Sequence, residues 1–154
     1  MTLAEILLPE FDEEMANTRK ILECVPEDKF AWKPHEKSFA LGKLANHLAA
    51  LPVVVPVLIK GMGKKPIDAT SKAELLNAFE NNIAAAREAL LGASDACLSE
   101  TVRVTPEKSK QRFAAIRGFM MNHSIHHRGQ LSVYLRLLNV PVPGMYGPSA
   151  DEKS

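Results

Sequence analysis

Met121-Asn122-His123-Ser124-Ile125-His126-His127-Arg128-Gly129-Gln130 sets two imidazoles, those of His123 and His127, four residues apart. On an α-helix, residues at i and i+4 are neighbours on one face. Ile116, Met120, Leu131, Tyr134 and Leu138 fall in register with the pair, so this is the apolar face that a helix turns to a core. Imidazoles in a core need partners for their ring nitrogens. One metal ion satisfies both. At about 100° per residue, His127 lies roughly 40° from His123, with Ile116 and Tyr134 near 20°. His126 falls about 60° to the other side. Ile125 points nearly opposite the pair, and Arg128 well outward.

Working outward, this helix is expected over residues 112–139, stopped by Val140-Pro141-Val142-Pro143-Gly144. Three more helices are legible. Leu3, Leu7, Phe11, Met15, Thr18, Leu22 and Val25 recur at spacings of three and four, marking a first helix that Pro26 ends. Trp32-Lys33-Pro34 reads as extended, because the residue before proline avoids the helical region. Ser38 is the expected N-cap of a second helix, with Ala40, Leu44, His47, Leu51, Val54 and Leu58 on one stripe. Pro52 and Pro56 each remove a backbone donor, predicting a kink or an early end.

Gly61-Met62-Gly63-Lys64-Lys65-Pro66 is a loop by composition. Ser71 followed by Glu74 fits a capping box. Leu75, Leu76, Phe79, Ile83, Ala86 and Leu90 mark the third helix, closed by Gly92. Thr101-Val102-Arg103-Val104 alternates like a short extended piece. The expected fold is all-α, a four-helix bundle in a single domain over residues 1–154. Residues 145–154 are expected as a coil tail with a mobile end.

Composition narrows the function. The chain has 154 residues and a formal net charge of +1, giving no electrostatic case for nucleic acid or an anionic membrane. No basic-then-apolar leader is visible. The apolar run at 48–59 is shorter than the roughly 20 residues a membrane-crossing helix needs. Cys24 and Cys97, far apart and outside any CxxC spacing, read as reduced thiols in a cytoplasmic protein.

His47 passes the same test as the pair: its stripe places it inside the bundle, where sites are built from facing helices. A single histidine on an apolar stripe is more often a hydrogen-bonded core residue than a ligand. A pair, joined by a third on a second stripe, favours a shared ion. His47, His123 and His127 are therefore the expected ligands of one divalent metal. Zinc or nickel suits them first, and iron, cobalt or manganese also fits. Three protein ligands leave a position open, as in catalytic sites, whereas structural zinc is closed by four.

Gln130, Tyr134 and His126 are candidates to orient the ligands or a bound substrate. Tyr134 reads equally well as core with its hydroxyl at the rim, and Thr18 as bonded to its own backbone. His35 reads as a surface residue. Asp12, Glu13 and Glu14, near the start of the first helix, read as solvated.

The chain resembles the DinB/YfiT-like superfamily over nearly its full length. The resemblance rests on Cys24-Val25-Pro26-Glu27-Asp28-Lys29, Trp32-Lys33-Pro34, Ser38-Phe39-Ala40-Leu41-Gly42-Lys43-Leu44-Ala45-Asn46-His47, His123-Ser124-Ile125-His126-His127-Arg128-Gly129-Gln130-Leu131, and Tyr146-Gly147-Pro148-Ser149. It implies a four-helix bundle whose divalent-metal ligands fall on His47, His123 and His127. It also implies kinship with transferases and isomerases that use low-molecular-weight thiols such as bacillithiol or mycothiol. The expected activity is metal-dependent thiol transfer to a small-molecule substrate. The alternatives are a non-catalytic, metal-stabilised binding or stress-response module and a metal-dependent hydrolase. A homodimer is expected as well: Ile125, Leu135, Val53 and Val57 extend the apolar surface beyond one stripe, and similar bundles often pair.

Overall fold

Helical periodicity in four segments becomes four helical rods in the computed structural model, which describes residues 1–152. The first rod is α1 (Leu3–Glu23), capped by Thr2: its side chain accepts from Glu5 N while the Glu5 carboxylate accepts from Thr2 N. The Thr-x-x-Glu signature is in the sequence and satisfies two donors reciprocally. Leu7, Phe11, Met15, Ile21 and Leu22 bury one face of α1.

The second rod corrects the expected cap. α2 (Leu41–Ala50) has Ala40, not Ser38, at its N-cap, without a side-chain bond. Its first free donors go to loop backbone instead: Leu41 N to Trp32 O at 2.8 Å and Gly42 N to Phe30 O at 2.9 Å. Carbonyls from a folded-back loop do the work of a hydroxyl. Gly42 permits that approach, since a Cβ there would lie 2.8 Å from the Phe30 ring. The expected kink is present: a 3-10 turn, Leu51–Val53, holds Pro52 and joins α2 to α3 (Val54–Lys60). Pro56 sits in the first turn of α3, where its missing N–H has no partner to lose. The stretch Leu41–Lys60 is long and apolar enough to cross a membrane by length and composition, but half of it is buried inside the fold.

The third rod, α4 (Lys72–Leu91), begins at Ser71, which accepts from Glu74 N. The reciprocal bond falls one residue early, because the Glu74 carboxylate accepts from Thr70 N and Oγ1. α5 (Asp95–Ser99) leads into an antiparallel hairpin, β1 (Thr101–Thr105) and β2 (Lys108–Gln111). The apolar alternation at 101–104 announces β1; β2 is polar and exposed along its length.

The fourth rod is α6 (Arg112–Ile116), a π-helical stretch Arg117–Asn122, and α7 (His123–Leu137). It closes on Asn139 in the left-handed region at φ 57, with Val140 N donating to Leu135 O at 2.9 Å. α1 and α2 each pack against both α4 and α7. Phe11, Leu44, Leu48, Leu75, Phe79 and Met120 fill the space between them. The fold is all-α, and among the described residues the hairpin is its only strand structure.

Three readings of exposure are corrected. Leu135 is fully buried and extends no outer surface. Arg128, expected to point outward, is 3% exposed, and Glu14, expected to be solvated, is buried beside it. The Arg128 guanidinium is ion-paired with the Glu14 carboxylate and donates to Glu14 O at 2.7 Å and Thr18 Oγ1 at 3.3 Å. Thr18 itself donates to Glu14 O, as its backbone-bonded reading has it. Tyr146 completes the cluster from the tail, its hydroxyl donating to Glu14 at 2.8 Å. A buried pair of this kind holds only when each charge is hydrogen-bonded as well.

Among the described residues the tail has neither helix nor strand, as expected, but it is tied back. Asp151 pairs with Arg136 at 2.7 Å and accepts from Val142 N at 2.9 Å. The expected mobile end falls partly on residues 153–154, outside the described residues. Cys24 and Cys97 are free thiols.

Candidate metal centre

α2 and α7 bring the site together. His47 projects from the last turns of α2, and His123 and His127 from the first two turns of α7. One ring nitrogen from each lies within 4.8 Å of those of the other two. His123 Nε2 and His127 Nε2 stand 2.8 Å apart. The His47 ring centroid is 5.2 Å from that of His123 and 4.6 Å from that of His127. His127 is buried and the other two are half-buried.

The Gln130 side-chain oxygen lies 2.7 Å from His127 Nδ1. An amide oxygen only accepts, so this contact places the His127 proton on Nδ1 and frees Nε2. Gln130 is thus the orienting partner that ligating histidines commonly have. Burial, and then the neighbouring imidazoles His127 and His123, lowers the His47 pKa. Burial also lowers that of His127, against an opposing contribution from Gln130. Both shifts favour the neutral, ligating form. Three convergent imidazoles, two of them biased to neutrality and one oriented by an amide, fit a divalent ion.

The remaining site candidates separate cleanly. His126 stacks edge-on to His127 at 4.9 Å but is exposed and lies outside the convergent group. Tyr134 donates through its hydroxyl to Phe39 O at 3.1 Å and meets Trp32 edge-on at 5.7 Å. It ties the loop ahead of α2 to α7. His35 is exposed, as expected.

Two cavities reach the histidines. One, of about 440 Å³, is lined by His47, His123, apolar side chains of the 3-10 turn, α3 and the π-helical stretch, and Arg103 and Val104 of β1. The other, of about 350 Å³, touches His127, Gln130 and Tyr134 and is otherwise lined by Lys37, Ser38 and Phe39. Sequence reasoning missed Arg103, Val104 and Phe119. The alternation at 101–104 signals a strand but not what that strand will face.

The class is an all-α fold in which three histidines converge from two rods, placed so that they could hold a metal ion. The chain belongs to the DinB family, whose model matches residues 2–154. It is 23% identical over 150 residues to the uncharacterized protein YrdA of Bacillus subtilis (strain 168), covering 94% of this chain and 89% of that one. Its fold is similar to the crystal structure of a DinB-like protein from Bacillus cereus ATCC 10987, with a TM-score of 0.76, 23% identity and coverage of 90% of this chain and 95% of the other. A second similar structure is the DinB-like protein YjoA of Bacillus subtilis, with a TM-score of 0.70, 19% identity and coverage of 90% and 97%.

Proposed function

We propose that this chain is a divalent-metal-dependent enzyme that joins a low-molecular-weight thiol to an electrophilic small molecule. The observation that carries the reading is the pair of cavities of contrasting character that reach one three-histidine group. A metal-stabilised module needs no such access, and a sealed apolar surround would suit it better. A divalent ion held by His47, His123 and His127 would lower the pKa of a bound thiol and supply a thiolate nucleophile at neutral pH. Gln130 holds the His127 ring in the orientation that frees Nε2. Ser38 and Lys37 offer polar contacts to a polar cosubstrate in the smaller cavity. The apolar walls of the larger one keep water from the electrophile. Hydrolysis is the weaker reading, since no carboxylate joins the histidine group to act as general base.

The test uses natively purified, metal-analysed protein with 1-chloro-2,4-dinitrobenzene and a panel of small thiols. The wild-type holoprotein should accelerate conjugation with at least one thiol, and His47→Ala should not. Equal rates for the two proteins across the panel would leave the non-catalytic module as the better reading.

We also propose that two copies pair through the outer face of α7. Ile125, Val133 and Leu137 are exposed on one i, i+4 ridge, and the open surface over Gly129 allows close approach. Val133→Asp should shift sedimentation equilibrium from dimer to monomer. A wild-type protein that sediments at the 16.9 kDa chain mass would refute pairing.

A further inference from the structure

The larger cavity has a chemistry of its own. Its body is aliphatic and aromatic, lined by Leu51, Val54, Leu58, Val104 and Phe119. At about 440 Å³ it falls within the range of roughly 300–1,000 Å³ typical of small-molecule sites. Val57 and Phe119, two of its lining residues, are large hydrophobics left exposed. Apart from the two imidazoles, its one charged lining residue is Arg103 of β1. Arg103 is exposed, and among the described residues it makes no ion pair or side-chain hydrogen bond; the acids closest to it in sequence have other partners. Glu100 pairs with Arg112 at 2.9 Å, and Glu107 accepts from Thr105 Oγ1 at 3.2 Å. A guanidinium left unpaired on an apolar cavity is a ready partner for a planar anion.

We propose that this cavity takes an electrophilic substrate built on an aliphatic carboxylate, its chain against Val54 and Leu58, its carboxylate on Arg103, and its electrophilic carbon toward His47 and His123; octanoate stands in for the unreactive part of such a substrate. This substrate class rests on the reading of the histidines as a metal-dependent reaction centre. The apolar lining selects a chain over a sugar or a nucleotide, and Arg103 selects an acid over an alcohol.

The test is methyl-detected NMR on Ile/Leu/Val-labelled protein, metal-free and zinc-loaded, titrated with octanoate, 1-octanol and acetate. Octanoate should shift the Val54 and Leu58 methyls in both forms, and acetate should not. Arg103→Gln should weaken octanoate about tenfold, the order of one charge-assisted contact, and leave 1-octanol unchanged. Val57→Asp, at an exposed position, should abolish binding of both. Octanoate affinity unchanged by Arg103→Gln would overturn the proposal, as would octanoate binding only to the zinc-loaded form, which would place the carboxylate on the metal. Zinc uptake is read separately by equilibrium dialysis, so its failure would remove the metal reading while the metal-free titration still reports on the cavity.

Discussion

His123 Nε2 and His127 Nε2 face each other at 2.8 Å. Since Gln130 fixes the His127 proton on Nδ1, the proton between the two rings belongs to His123 Nε2. A metal taken up by both Nε2 atoms requires His123 to carry its proton on Nδ1 instead. Long-range 1H–15N spectra should therefore show His123 changing tautomer on zinc addition while His127 keeps Nδ1–H. A tautomer change at His127 alone would reverse the assignment.

Metal retention should follow convergence rather than histidine count. His47→Ala, His123→Ala and His127→Ala should each lose bound metal in elemental analysis, whereas His126→Ala and His35→Ala should keep it. Gln130→Ala should weaken affinity by about 10–100-fold, the usual cost of losing a ligand's orienting partner. In the wild type, metal at one hundred times its dissociation constant should raise stability by about 2.7 kcal/mol. Equal loss in His126→Ala would show that the helical phase of α7 is misplaced.

Acid should release the metal. The folded pKa values of His47 and His127 lie below the ordinary value of 6.5, chiefly because of burial. Above pH 6.5 the imidazoles are neutral folded or unfolded, and their burial carries no protonation penalty. As pH falls below that value the unfolded chain takes up protons first, so the metal-free fold loses stability until the folded imidazoles titrate too. Protons also compete with the ion for the same nitrogens. Cobalt affinity measured from about pH 7.5 down to about pH 5.5 should fall steadily across the ordinary histidine range. A flat profile would contradict ligation by these groups.

The buried ion pair should be costly to halve and cheap to remove whole. Arg128→Met leaves Glu14 uncompensated and should cost about 3–5 kcal/mol in urea unfolding. Combining it with Glu14→Leu should recover most of that loss. Tyr146→Phe removes a hydroxyl that donates to Glu14 and accepts from Arg128, and should cost about 1.5–3 kcal/mol, the range for a hydrogen bond to a charged group. A double variant as unstable as Arg128→Met would mean that packing, not charge, dominates this contact.

Much of this was legible in one dimension. Periodicity located all four rods, and a rotation of about 100° per residue separated His126 from the convergent pair, because His123 and His127 lie within one regular helix. Burial of charge was not legible. Arg128 and Glu14 look like solvent residues singly and become core residues only through each other, across 114 positions. Nothing local to either announces the other, and the tail residue that joins them lies in a stretch with no periodicity. The cap of α2 failed for a related reason: its donors are satisfied by Trp32 and Phe30 carbonyls, whose return depends on how the loop folds. The cavity beside His47 was hidden because β1 forms one wall, and alternation does not say which surface a hairpin will cover.

The π-helical stretch Arg117–Asn122 makes residue count, rather than residue identity, a structural quantity. Its wider turn accommodates an extra residue relative to the α-helix on either side. It thereby lets α6 bury Ala115 and Ile116 while α7 aims His123 and His127 at His47. Deleting one residue between 117 and 122 would therefore heal the rod into continuous α-helix with its two halves in nearly the same phase. Tightening the turn at full residue count would instead rotate one half against the other by about 100°. Either the upstream core face or the imidazoles would then miss their target, although every side chain had been kept. A single-codon deletion should thus be borne in this stretch, whereas the same deletion between His123 and His127 would turn one imidazole away.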